Sequence, residues 1–364
     1  MNTMTANNVK KYNFSAGPAI LPAEVIEEAA KAVANYHGSG LSLLEMSHRG
    51  KEFVAVLDEA VALVKELLDL SDDYEVLFLT GGASSQFFMV PLNILNEGET
   101  ACYVDTGTWS TKAIKEAKLY GGINVLGSSK DSNFNFIPKA IDIPTDCKYL
   151  HLTSNNTIYG TQYHDWPNTN VPIVCDMSSD IFSRPVPIEK YGIIYAGAQK
   201  NMGPAGTTLV IIRKDLLGKV SRTIPTMLNY QTHIAKGSSF NTPPVYPIYV
   251  CMLTLRWLKA QGGVKAMQVH NEEKAALLYN EIDANPLFEG AAAKEDRSLM
   301  NVTFTMKDDS LTDEFMKMTA EAGCVGLKGH RSVGGFRASI YNAMTKDGIQ
   351  VLVDLMQAFA KKNS

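Results

Sequence analysis

Apolar and polar residues follow two distinct periods along this chain. Between residues 22 and 36, Val25, Ile26, Ala29, Ala30 and Val33 recur at helical spacing. Glu24, Glu27 and Glu28 occupy the first turns, where a helix favours negative charge, and Gly38 follows the end. Residues 51–70 repeat the pattern through Phe53, Val54, Leu57, Val61, Val64 and Leu68. Seven short apolar runs then predict strands over 75–80, 100–105, 123–126, 148–153, 171–176, 193–197 and 207–212, with a helix over 109–119. Strands that are apolar throughout, separated by helices, predict an α/β fold with a largely parallel sheet covered on both faces. Beyond about residue 250 the texture changes. Long helices are predicted over 246–260 and 263–283, strands over 301–306 and 336–341, and helices over 312–322 and 346–361. That succession predicts a smaller α+β domain. No internal repeat or low-complexity segment interrupts it.

Composition narrows the class. The chain has 364 residues, enough for two domains, and 45% of them are hydrophobic, so a sizeable core is available. A net charge of −4 gives no electrostatic case for nucleic acid or an anionic membrane as the main partner. The first 11 residues are polar, and no stretch approaches the roughly 20 apolar residues of a membrane span. Cys102, Cys147, Cys175, Cys251 and Cys324 form no Cys-x-x-Cys pair and read as buried thiols of a reducing compartment. A cytoplasmic protein is expected.

Two strand ends carry unusual chemistry. The run 193–197 leads through Ala198 and Gln199 into Lys200, followed by Asn201-Met202-Gly203-Pro204. Burial disfavours an ammonium, and a desolvated amine is what imine chemistry with a carbonyl requires. The run 171–176 ends in Asp176, then Ser178 and Ser179. In open α/β sheets, ligands bind outside the carboxyl ends of the strands, where this acid and this amine can share a crevice. Pyridoxal phosphate uses that pair: a lysine for its aldehyde and an acid for its ring nitrogen.

Other stretches fit the same picture. Thr80-Gly81-Gly82-Ala83-Ser84-Ser85 follows a strand and opens a helix, an arrangement that suits a phosphate, although it is neither a Gly-x-Gly-x-x-Gly nor a Walker loop. Trp109 follows another strand end and could stack on a planar ring. Residues 155–161 read as a polar, turn-forming loop. Arg49, Arg331 and Arg337, flanked by His48, His330 and glycines, fit a doubly anionic substrate. Pro243 and Pro244 read as a rigid connection between the domains.

Together these stretches resemble the phosphoserine aminotransferases, of the fold-type-I pyridoxal-phosphate enzymes. The resemblance is carried by Asn13-Phe14-Ser15-Ala16-Gly17-Pro18, Ser47-His48-Arg49-Gly50-Lys51, Gly81-Gly82-Ala83-Ser84, Thr108-Trp109-Ser110 and Asn156-Thr157-Ile158. It continues through Cys175-Asp176-Met177-Ser178, Gly197-Ala198-Gln199-Lys200, Phe240-Asn241-Thr242-Pro243-Pro244 and Gly329-His330-Arg331-Ser332 to Phe336-Arg337-Ala338. It implies a large domain, 16–258, with a mostly parallel seven-stranded sheet flanked by helices, and a small α+β domain formed by 1–15 and 259–364. Lys200 would hold the cofactor aldehyde and later carry the substrate α-proton, while Asp176 would hold the pyridinium. Trp109 would stack on the ring, and Thr157 would bond near its phenolic oxygen. Ala83, Ser84 and Gln199 would bind the cofactor phosphate, with Asn241 and Thr242 reaching it from the partner of a homodimer. Arg337 would take the α-carboxylate, His48, Arg49, His330 and Arg331 the distal anion, and Ser15 would lie at the substrate mouth. No metal is implied. Some members carry an arginine where this chain has Ser84, which puts more weight on Arg49, His330 and Arg331. The implied reaction exchanges the amino group between glutamate and 3-phosphohydroxypyruvate by a ping-pong course, with a further role in pyridoxal phosphate synthesis. A rival within the fold, cysteine desulfuration, needs a mobile nucleophilic thiol, for which Cys324 is the only candidate. A non-catalytic binding protein should lack Lys200 or Asp176, and both are present.

Overall fold

The computed structural model of the chain describes residues 10–363. In order, its first elements are β1 (Tyr12–Asn13), α1 (Ala23–Ala34), α2 (Lys51–Leu68), β2 (Tyr74–Leu79), α3 (Gly82–Ile94), β3 (Thr100–Asp105), α4 (Thr108–Ala117) and β4 (Gly122–Ser128). They are followed by β5 (Leu150–Thr153), β6 (Asn155–Asn156), β7 (Thr161–Gln162), β8 (Ile173–Asp176), β9 (Tyr191–Gly197), β10 (Thr208–Arg213), α5 (Tyr230–Ile234) and α6 (Val245–Ala260). The remainder comprises α7 (Gly263–Ala284), β11 (Phe288–Gly290), β12 (Asn301–Met306), α8 (Thr312–Glu321), β13 (Cys324–Val325), β14 (Phe336–Ser339) and α9 (Lys346–Lys362).

Seven strands form the main sheet in the order β2-β10-β9-β8-β5-β3-β4. β10 is antiparallel to both neighbours, and the other pairs are parallel. Every strand except β10 therefore points its carboxyl end to the same edge. The chain order reverses at β3, which has β4 on one side and β5 on the other; such a switch point opens a crevice. Residues of β9 alternate between two apolar layers. Ile194 and Ala196 pack with α1, α2 and α6, whereas Ile193 and Tyr195 pack with α3, α4 and α5. Two-sided burial explains why these strands read as continuous apolar runs.

A second apolar core gathers Phe14, α7, β11, β12, α8, β14 and α9 around Phe288, Phe304, Phe315 and Phe336. β11, β12 and β14 form its antiparallel sheet. β1 pairs with β13, which draws the segment after Tyr12 towards β14, where Phe14 O accepts from Ser339 N.

One sequence expectation changes. Pro243 and Pro244 do not connect domains: they lead into α6, whose Ile248, Cys251 and Leu255 belong to the core of the main sheet. The crossing to the second core comes later, at Gly262 and Gly263, which both have positive φ. Residues 155–161 do form a turn, as expected, but as the tip of a buried hairpin, β6 with β7, in which Thr157 is 3% exposed. Two-residue strands leave no periodicity to read.

Candidate active site

β9 delivers Lys200 to the carboxyl edge of the sheet, and β8 delivers Asp176 beside it, in register with Tyr195. Ser178 ties the two ends together. Its N–H and hydroxyl donate to Asp176 Oδ1, at 2.9 and 2.6 Å, and its hydroxyl oxygen accepts from Gly197 N at 3.1 Å. Asp176 Oδ2 accepts no hydrogen bond among the described residues. Burial raises the Asp176 pKa, opposed by the Lys200 charge and by Ser178. Burial pulls Lys200 down to about 8; Asp176 opposes that shift and Arg337 adds to it. The resulting amine is available near neutrality and has an acid for a neighbour.

Around Lys200 the crevice is closed by side chains from several elements. Its Nζ donates to Thr157 Oγ1 at 2.7 Å, from the hairpin turn after β6, and lies 5.5 Å from the Trp109 ring centroid at the start of α4. The Trp109 Nε1 is buried without a partner. Arg337, on β14, donates to Thr157 O at 3.4 Å; its Nε is buried and unpartnered, and burial lowers its pKa. Gly17 lies over the lysine stem, where an added Cβ would sit 3.4 Å from Lys200 Cγ, and Ala19 N donates to Gln199 O. The Tyr341 hydroxyl donates to Ala16 O at 2.7 Å, which fixes that segment and sets Ser15 beside Gly326.

At the β2 end, Gly81 caps α3 with φ 98°, and a Cβ there would fall on the Ser85 side chain. Only glycine fits this turn. No side chain caps the helix, so the first-turn N–H groups of Gly82, Ala83 and Ser84 are available to an anion. Thr80, Gly81 and Ser85 line a cavity of about 140 Å³ together with Asn241 of the same chain. Asn241 Nδ2 donates to Thr242 O, and Thr242 is exposed. His330 and Arg331 lie on the turn before β14; Val333 of that turn and Trp109 both pack on Phe134, Ile158 and Tyr159.

The structure thus gathers Lys200, Asp176, Thr157, Trp109 and Arg337 around one crevice, with Gln199 next to Lys200, Ser15 beside Gly326, His330 and Arg331 on the turn before β14, and Ala83 and Ser84 on the same sheet edge. It does not bring His48 and Arg49 there. They lie between α1 and α2, and their side chains make no hydrogen bond or ion pair among the described residues. Sequence reasoning missed the layer behind Asp176. Asp180 is buried between Ser154, Gln162 and Arg184, and Ser154 Oγ also donates to Asp176 O. The signal was thin: Asp180 stands four residues past a strand end, where an acid is ordinary. Cys324 is buried in the β1–β13 pair, and burial pushes its thiol up to about 11, the opposite of an activated nucleophile.

The class-V aminotransferase family profile matches residues 11–352, and the chain belongs to that family. Curated proteins similar to the chain include phosphoserine aminotransferases. That of Parabacteroides distasonis is 60% identical over 98% of this chain and its own full length, and that of Flavobacterium johnsoniae 58% identical over 97% of this chain and all of its own. Among solved structures, the phosphoserine aminotransferase of Bacillus circulans superposes with a TM-score of 0.94 at 46% identity, covering 98% of this chain and 99% of that one. The PLP-bound phosphoserine aminotransferase of Trichomonas vaginalis gives 0.90 at 37% identity, covering 96% and 100%.

Proposed function

We propose that this chain is a pyridoxal-phosphate-dependent phosphoserine aminotransferase, exchanging the amino group between glutamate and 3-phosphohydroxypyruvate to give O-phosphoserine and 2-oxoglutarate. One observation carries the reading: an amine lowered to about 8 and a buried carboxylate with a free oxygen share a crevice with an arginine that lacks a carboxylate partner.

The residues fit the cofactor. Asp176 Oδ2 is free to accept from a ring N–H, the Trp109 ring offers a flat wall, and the uncapped start of α3, with Ala83 and Ser84, offers N–H groups to a phosphate, helped by Gln199. Bound there, pyridoxal phosphate supplies an electron sink for the α-carbon of an amino acid. Asp176, held by Ser178, would keep a ring proton in place. Lys200 would hold the cofactor aldehyde, and its Nζ is placed to take a proton from the substrate α-carbon and return it. Thr157 steadies that amine, and Arg337 takes the α-carboxylate in two-point fashion. His330 and Arg331 face the distal anion. Both amino donor and oxo-acid are at least dianionic, a phosphomonoester adding about −1.5 to −2 at pH 7. One basic pocket then serves both in turn, so ping-pong kinetics follow.

We also propose a homodimer that completes each site. Exposed apolar side chains flank the two segments that the chain's own crevice leaves unused: Leu41, Leu44 (62% exposed) and Val54 around His48 and Arg49, and Met227 and Phe240 beside Asn241 and Thr242. A partner surface would bury these and supply the polar groups between them. The separate phenylalanine core supports the division into a large domain, 16–258, and a small one, 1–15 with 259–364, of which residues 1–9 and 364 lie outside the described residues. A cytoplasmic location and a second use of the site, on the phosphorylated four-carbon oxo-acid of pyridoxal phosphate synthesis, belong to the same proposal. No helix among the described residues is long and apolar enough to cross a membrane.

The test is an assay of purified protein with glutamate against phosphorylated and unphosphorylated oxo-acids. The reading requires kcat/KM to be highest for 3-phosphohydroxypyruvate. Preference for an unphosphorylated oxo-acid would overturn the substrate, and sulfide release from cysteine would overturn the reaction.

A further inference from the structure

Three cationic side chains, Arg337, Arg331 and Lys112, act on His330 at the mouth of the crevice, and Lys112 has no role so far. Lys112 stands three residues beyond Trp109 on α4, a spacing that places both on one face of the helix. Its Nζ lies 4.6 Å from the Trp109 ring centroid, and Lys200 Nζ lies 5.5 Å from the same centroid. One indole therefore has the reactive amine and a second, exposed ammonium within reach. The turn that carries His330 and Arg331 packs beside it, because Val333 shares with Trp109 the small cluster of Phe134, Ile158 and Tyr159. Thr108 Oγ1, 3.0 Å from the Tyr159 hydroxyl, pins the start of α4 to that cluster. Burial, and then the charges of Arg337, Arg331 and Lys112, lower the His330 pKa.

None of Lys112, His330, Arg331 and Arg337 forms an ion pair with a carboxylate among the described residues. Like charges gathered without counter-ions repel one another, and an anion placed among them offsets that repulsion. A neutral substrate would gain nothing from the arrangement. A substrate with an anionic group at each end would place one at Arg337 and the other towards Lys112 and Arg331. We propose that Lys112 binds the distal anionic group of the substrate, a phosphate or the side-chain carboxylate of glutamate, and so favours substrates charged at both ends. The proposal rests on the reading of the site as one for phosphorylated oxo-acids and names a residue within it.

The experiment compares holoenzyme carrying Lys112→Ala, Lys112→Arg or, as a control on the same helix, Lys115→Ala. Each is assayed with 3-phosphohydroxypyruvate and with pyruvate, and each is titrated with inorganic phosphate by calorimetry. Loss of one charge-assisted contact at an exposed position should raise KM for the phosphorylated substrate about threefold to fivefold in Lys112→Ala while kcat changes less than about twofold. The arginine variant should recover most of the affinity, the Lys115 variant should match the parent, and the pyruvate kinetics should not change. Salt should weaken the parent's kcat/KM for the phosphorylated substrate more than that of Lys112→Ala. An unchanged KM, or an equal loss on both oxo-acids, would overturn the role of Lys112. If the parent itself fails to use 3-phosphohydroxypyruvate, the functional reading falls by itself. Phosphate titration then decides Lys112 independently: weaker binding in the alanine variant upholds it, and equal binding refutes it.

Discussion

At the scale of single residues, the account turns on how Lys200 and Asp176 divide the proton between them. Burial moves both towards neutrality, the lysine down and the acid up, and each opposes the shift of the other. Lys200 is held at about 8, against an ordinary value of 10.5. Between those values the unfolded chain carries the proton and the folded chain does not. This group therefore makes the cofactor-free protein more stable as pH rises through that window, and its cost is complete below the folded value. The same shift governs reactivity, because only the free amine attacks an aldehyde. Stopped-flow capture of pyridoxal phosphate by cofactor-free protein should accelerate up to about pH 8 and then level off. A rate still rising steeply towards pH 10.5 would mean that the amine is not perturbed.

At the scale of elements, α7 joins the two cores through a lysine that the reaction does not use. Lys274 is fully buried and donates to Ile340 O at 3.0 Å and Tyr341 O at 2.7 Å, just past the strand that carries Arg337. The next residue along, Asn342, accepts from Asn271 of α7, and its N–H donates to Asn201 beside Lys200. Lys274→Met keeps the stem but strips Ile340 O of its donor and leaves Tyr341 O with the Met344 N–H alone, at a cost of about 1–3 kcal/mol. Urea unfolding should show a lower midpoint with an unchanged slope; an unaltered midpoint would remove α7 from this role. Little of this was legible in the sequence. The long helices and the sheet strands were, with ends within two or three residues, because a two-sided core writes continuous apolar runs and helical stripes. β1, β6, β7 and β13 were not, since two-residue pairings are set by partners distant in the chain. The reactive pair and Trp109 were legible because each follows a strand end. The Asp180 network and Lys112 were invisible, because only the folded chain brings them beside the groups they serve.

At the scale of the whole molecule, the chain's own crevice uses one part of the basic residues and leaves His48 and Arg49 among exposed apolar neighbours. If a second copy covers them, sedimentation equilibrium should give a mass near twice 39.8 kDa. Replacing Leu44 with Glu, which sets a charge on that face, should shift the protein towards monomer and lower activity at high dilution. A parent that sediments as a fully active monomer would exclude the shared site.

The central claim is that one amine of this chain holds the cofactor. Protein reconstituted with pyridoxal phosphate, reduced with borohydride and cleaved with a protease should yield the reduced cofactor on the peptide containing Lys200. Finding it instead on Lys274, the other buried amine lowered to about 7, or on no peptide at all, would contradict the account.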